Sequence, residues 1–125
     1  MADLIESGVG LLSTTVVPLN ANTAVTLYTV PVGKRCVLDH AVLVAGADAG
    51  TTTVSIGQVG ALTDFLALNT LSNLDAQYDA VILKPIPNTT PLKGKSYVAG
   101  TVIQIDVTNQ AGGATNTVYL FGFLY

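Results

Sequence analysis

Alternation of apolar and polar positions dominates the chain, and a period of two marks strands. Thr51 to Gln58 puts Thr52, Val54 and Ile56 on one face and Thr51, Thr53 and Ser55 on the other. That is the pattern of a half-buried antiparallel strand. Thr101 to Thr108 repeats it, with Ile103, Ile105 and Val107 inward and Gln104 and Asp106 outward. Gln77 to Lys84 reads as a strand stopped by Pro85 and Pro87. Thr14 to Val17 reads as a short first strand, and Ser96 to Ala99 as another that turns at Gly100. The arms 23–30 and 34–45 are rich in β-branched and aromatic residues and flank Pro31-Val32-Gly33. Proline presets φ and glycine accepts positive φ, so the spacing predicts a hairpin with a three-residue loop. The last strand, Thr117 to Tyr125, is apolar on both faces: Tyr119, Phe121, Phe123 and Tyr125 on one, Val118, Leu120 and Leu124 on the other. Such a strand is central in its sheet, and a two-sheet sandwich leaves its second face for a subunit contact.

Two stretches break the alternation. Between Gly57 and Asp75, Leu62, Phe65, Leu66, Asn69 and Leu74 fit one helical face, but Asn69-Thr70 and Ser72-Asn73 are poor in helix interiors. The expectation is a long loop with at most one helical turn, its leucines plugging the core or reaching a partner. Pro85 to Lys95 carries three prolines and one glycine, and proline stiffens it into a structured surface crossing. Two long crossings exclude a simple meander and suit Greek-key wiring. The predicted fold is all-β: an antiparallel β-sandwich of about eight strands in jelly-roll form, with an immunoglobulin-like sandwich as the alternative. Met1 to Ser13 holds Leu4, Ile5, Val9, Leu11 and Leu12, broken by Gly8 and Gly10, too short and glycine-broken for a stable helix. It is expected to be an N-terminal arm, either frayed or ordered against a neighbour, ahead of one sandwich domain from Thr14 to Tyr125.

Charge changes the picture more than size does. The chain has 125 residues, enough for one domain and a core. Only 10% of residues are charged, against about 25% in ordinary domains, and the mean hydropathy is +0.55. Either uncharged polar residues cover the surface, or neighbouring subunits do; the hydropathy favours assembly. Five Lys and Arg against eight Asp and Glu give a net charge of −3. The basic pairs Lys34-Arg35 and Lys93/Lys95 read as solvated loop edges, so no nucleic-acid partner is expected. The N-terminus lacks a basic region before an apolar run, and no apolar run approaches the ~20 residues that span a bilayer. A soluble protein made in a cytoplasm, with no membrane partner, is the expectation.

No enzyme is expected. The single histidine, His40, has Asp39 as neighbour, but adjacent strand residues point to opposite faces. Cys36 shares His40's face, yet four strand residues put them roughly 13 Å apart. One histidine cannot furnish the metal set of a cupin, and Gln110-Ala-Gly-Gly-Ala-Thr115 lacks the lysine of a phosphate loop. Asp48 and Asp64 stand alone in their loops and Asp75 and Asp79 are expected apart, too dispersed for calcium. No cofactor, metal or small-molecule substrate is expected. Tyr28, Tyr78 and Tyr97 read as packing residues with hydroxyls reaching water, more than as a sugar platform.

Val25-Thr-Leu-Tyr-Thr-Val-Pro-Val-Gly-Lys-Arg35 resembles the opening hairpin of small virion proteins of tailed bacteriophages. Tyr97-Val-Ala-Gly-Thr-Val-Ile-Gln-Ile-Asp-Val107, with its Gly-Gly loop and aromatic last strand, does so too. Within that group the chain is most similar to jelly-roll cement, or decoration, proteins of the capsid. The resemblance implies a homo-oligomer, a dimer or trimer, on the outer surface of the virion after synthesis in the host cytoplasm. It would bridge copies of the major capsid protein. The alternative is a receptor- or carbohydrate-binding sandwich of a phage tail or fibre. Contact candidates are Leu4, Ile5, Val9, Leu11 and Leu12 of the arm, Phe65, Leu66 and Leu68 of the long loop, and Leu120, Leu124 and Tyr125 of the last strand. With few charges to screen, attachment is expected to depend weakly on salt.

Overall fold

The computed structural model describes residues 9–85, 94–108 and 115–125. Among them are nine strands and no helix: β1 Gly10–Pro18, β2 Thr23–Thr29, β3 Cys36–Ala45, β4 Thr53–Gln58, β5 Ala61–Thr70, β6 Ala80–Leu83, β7 Ser96–Tyr97, β8 Val102–Thr108 and β9 Thr115–Leu124. They form two antiparallel sheets. Sheet A has the order β1-β9-β3-β6, with β7 pairing β3 beyond the end of β6; sheet B has the order β2-β8-β4-β5.

The pairing is nested: β1 with β9, β2 with β8, β3 with β6 and β7, β4 with β5. Successive pairs alternate between sheets, so the chain is one long antiparallel ribbon rolled across the sandwich. This is the jelly roll that the patterning predicts. Because β6 and β7 share one position beside β3, nine strands fill eight places. Between the sheets lie Leu19, Leu43, Ile56, Leu71, Leu74, Ile103, Ile105 and Leu120, all fully buried.

The expected hairpin at Pro31 is not one. The turn exists: the Lys34 N–H donates to the Pro31 carbonyl at 3.3 Å and Gly33 has φ 79°. But Val30 exchanges backbone bonds with Gly100 and Thr101, and Arg35 with Tyr125. Those partners lead β2 into sheet B and β3 into sheet A, so the turn is a corner between sheets. The hairpin at the fold of the ribbon is β4–β5, across Val59 and Gly60, where Gly60 sits at φ 88°.

That hairpin replaces the expected long loop. β5 carries two register shifts against β4, between the pairs at Val54/Ile56 and Ile56/Gln58. Bulges spoil a period of two, and here they bury the adjacent Phe65 and Leu66 together. Gly57 makes the bulge fit, since a Cβ there would strike the Ala61 carbonyl, Leu62 and Asp64. Elsewhere the strands shift modestly. β1 starts at Gly10, so it includes residues 10–13, and β6 starts only at Ala80 because Tyr78 turns the chain at φ 73°. Most of the proline-rich crossing (86–93) and the Gly-Gly loop (109–114) lie outside the described residues.

Candidate functional site

The two outer faces of the sandwich differ in chemistry. On sheet B, opposite the inward Ile103, Ile105 and Val107, stand Thr26, Thr53, Gln104, Asp106 and Thr108. Two pairs of them are bonded: Gln104 Nε2 donates to Thr26 Oγ1 at 3.2 Å, and the Thr53 hydroxyl is bonded to that of Thr108. This face is suited to water.

Sheet A is different. Its registers align four rows across the outer face. Val16, Thr117, Val44 and Ala80 form the first, and Thr14, Tyr119, Val42 and Ile82 the second. Leu11, Phe121 and His40 form the third, and Phe123, Val37 and Ser96 the fourth. Tyr125 continues the aromatic column of β9, its ring 5.9 Å from Phe123. Ile82 is 70% exposed, Val16 65% and Leu11 44%. A contiguous apolar sheet face of this kind marks an interaction surface.

The centre of the face is set by two bulges. In β3 a register shift between Leu38 and His40 leaves Asp39 as an extra residue; in β1 a shift between Leu11 and Ser13 does the same with Leu12. They flank β9 between Leu120 and Gly122, and at Gly122 a Cβ would lie within 3.0 Å of Leu12 Cδ1 and closer still to the Val37 carbonyl oxygen. The β3 bulge overturns two expectations. Asp39 and His40 share the outer side, and His40 Nδ1 donates to the Asp39 carboxylate at 2.6 Å. Cys36 lies instead in the core, its thiol pushed up to about 11 by burial. The His40 ring stacks on Phe121 at 4.6 Å and 8°. At the lower end of the face, Tyr125 OH and Ser96 Oγ are 2.8 Å apart. Bonds to Ser96 and then Arg35 hold the Tyr125 phenol below its ordinary range.

A second polar group ties the sheets together. Asp64 of β5 accepts from Tyr97 OH and Gln58 Nε2, each at 2.8 Å, and meets Lys95 Nζ at 3.5 Å. Burial, then the bond to Asp64, raises the Tyr97 phenol far above its usual range. Asp75 and Asp79, expected apart, are not: a side-chain bond to Asp79 is the main cause raising the Asp75 carboxyl, with Asp48 adding a smaller repulsion. Among the described residues no three His, Cys, Asp or Glu are arranged to hold a metal.

The contact candidates divide accordingly. Leu4 and Ile5 lie outside the described residues. Val9, Leu11 and Tyr125 are exposed, the last two on or beside the face of sheet A, and Leu68 is exposed on the β5 edge. Leu12 and Leu124 pack against the core, and Phe65, Leu66 and Leu120 are buried in it, so these five offer little to a partner. Sequence patterning overlooked Val42, Ile82 and His40, whose outward direction follows from strand order and the bulge. It also overlooked exposed Val32, Val59 and Val98 on the turn tips at one end of the sandwich.

No protein-family model and no curated protein matches the sequence. The fold is similar to that of a chain in the acidic stable capsid structure of Helicobacter pylori bacteriophage KHP30. That match has a TM-score of 0.62 at 14% identity, over 92% of this chain and 86% of that one. It is also similar to a chain in the cyanophage Pam1 capsid asymmetric unit, with a TM-score of 0.52 at 15% identity, over 92% and 84%. At these identities the likeness is one of fold.

Proposed function

We propose that the chain is a structural protein of a phage virion: a capsid decoration protein, acting as a homo-oligomer, that sits on the outer surface of the shell and bridges major capsid subunits. One observation carries the reading. Three outward aromatic side chains of β9 and Tyr125 just past it, with flanking valines, Leu11 and Ile82, form a sheet face with no cover among the described residues. A protein that works by holding neighbours together needs such a face. The jelly-roll likeness to chains of two phage capsid structures supports the same reading. Burial of apolar area contributes about 25 cal/mol per Å², and repeated attachment around a shell multiplies it.

The test is co-sedimentation of the purified protein with phage shells from which it has been removed. Saturable binding that raises the shell's melting temperature and persists at about 1 M NaCl is expected, because apolar contacts are not screened. Release by that salt would refute an apolar attachment. Failure to bind shells, together with specific capture on a glycan array, would refute the decoration role.

A further inference from the structure

We propose that the outer face of sheet A is closed by a second copy of the chain, packed face to face about a two-fold axis near Asp39 and His40. The inference builds on the oligomer of the reading above and names its contact. Three observations select a second copy as the occupant.

The first is charge. An isologous contact must carry both halves of every polar pair on one surface, because residue i meets j and j meets i. At the centre of the face one acid and one base stand side by side, Asp39 and His40, with the Tyr119 phenol in the neighbouring row and exposed Lys84 just past Ile82 at the edge. The bulge that turns Asp39 and His40 outward makes the face complementary to itself. With Nδ1 committed to Asp39, His40 Nε2 is the ring nitrogen left to meet a partner. A two-fold axis beside this pair lets each copy's acid face the other's imidazole.

The second is extent. Three strands of nine or ten residues and the four-residue β6, spaced by ~4.8 Å, present about 500 Å². Two copies then bury about 1,000 Å², the area a biological interface should clear. The third is the contrast between faces. Pairing two A sheets leaves both Thr- and Gln-rich B faces outward, so the dimer is polar on each broad side. The turn tips with Val32, Val59 and Val98 stay free at its ends, and in the dimer they, rather than the paired face, would meet the shell.

Light scattering coupled to size exclusion, with sedimentation equilibrium, tests this on the full chain. The expected mass is twice the 12.9 kDa of one chain. Ile82→Lys alters an exposed side chain on the face and leaves the core untouched, so it should fold as the parent does, checked by its urea midpoint. It should weaken the dimer by about 10-fold or more, because it sets an unpaired charge against the partner's apolar rows. His40→Asp should weaken it similarly by setting two acids against two. Gln104→Asp, on the opposite sheet, should leave the mass unchanged. A parent that is monomeric or trimeric, or a dimer indifferent to Ile82→Lys, overturns the inference. Shell binding is scored separately: a dimer that ignores shells sinks only the virion reading. A monomer whose shell binding Ile82→Lys abolishes sinks the dimer and keeps that reading.

Discussion

Gly122→Ala should destabilise the protein more than any other small substitution on sheet A. An added Cβ would meet the Val37 carbonyl oxygen below 3.0 Å and Leu38 Cα at 3.2 Å. Leu12 Cδ1, also at 3.0 Å, is a side-chain tip and can rotate away, but the other two atoms are backbone. Relief therefore requires β9 to move from β3 at the one level where bulges on both flanks already fix the register. Overpacking against ordinary neighbours costs about 1–3 kcal/mol, and a backbone obstacle places this case at about 3. With a urea slope near 2 kcal/mol/M, the unfolding midpoint should fall by about 1.5 M. Gly60→Ala is the control: its φ of 88° is strained for alanine, but nothing lies within 4 Å of the new atom. That change should cost only about 1 kcal/mol. Both variants are unfolded at one protein concentration, since the proposed self-association would add to apparent stability. A midpoint for Gly122→Ala no lower than that for Gly60→Ala would refute the claim that converging bulges dictate this glycine.

Three further outcomes follow from the polar groups. Tyr97→Phe deletes the donor to Asp64 and should cost about 1.5–3 kcal/mol in urea unfolding. Combined with Asp64→Asn the losses should be less than additive, and strict additivity would show that the two groups are not coupled. Asp75 has its folded pKa raised by Asp79, so its contribution favours folding at low pH and fades as pH rises through the raised value. Asp75→Asn should therefore raise the urea midpoint at neutral pH and leave it unchanged near pH 3; equal gains at both would exclude this repulsion. Cys36, buried with a thiol pushed up to about 11, should resist a disulfide reagent at mildly alkaline pH until guanidinium unfolds the chain. Fast labelling of the native protein would contradict its place in the core.

Regular strands were legible in the sequence because burial of one face imposes a period of two. β4, β8 and β9 announce themselves by it, and the two-sided apolarity of β9 matches its place between β1 and β3. What escaped was produced by bulges and by pairing over distance. Phe65 and Leu66 lie adjacent and both inward, a spacing that local rules assign to a helix face. Asp39 and His40 lie adjacent and both outward, against the alternation that separates neighbours. Pro31 to Gly33 carries sound turn chemistry, but a turn does not say whether its arms pair with each other. That was decided by Gly100, Thr101 and Tyr125, about 70 to 90 positions further along.

The nested pairing also orders events during synthesis. Sheet A joins Thr14 to Tyr119 and Val42 to Tyr119 through one strand, β9, which lies latest in the sequence of all the described strands. Until β9 arrives, β1 and β3 are not neighbours, and the rows that make the contact face do not exist. Contacts of such separation form slowly and late. A chain still on the ribosome, or one cut before Thr115, therefore holds the aliphatic half of the surface in scattered pieces and none of its aromatic column. Under the proposed pairing, completion is thus a precondition of contact: only a chain that has closed its own roll would present this face to another.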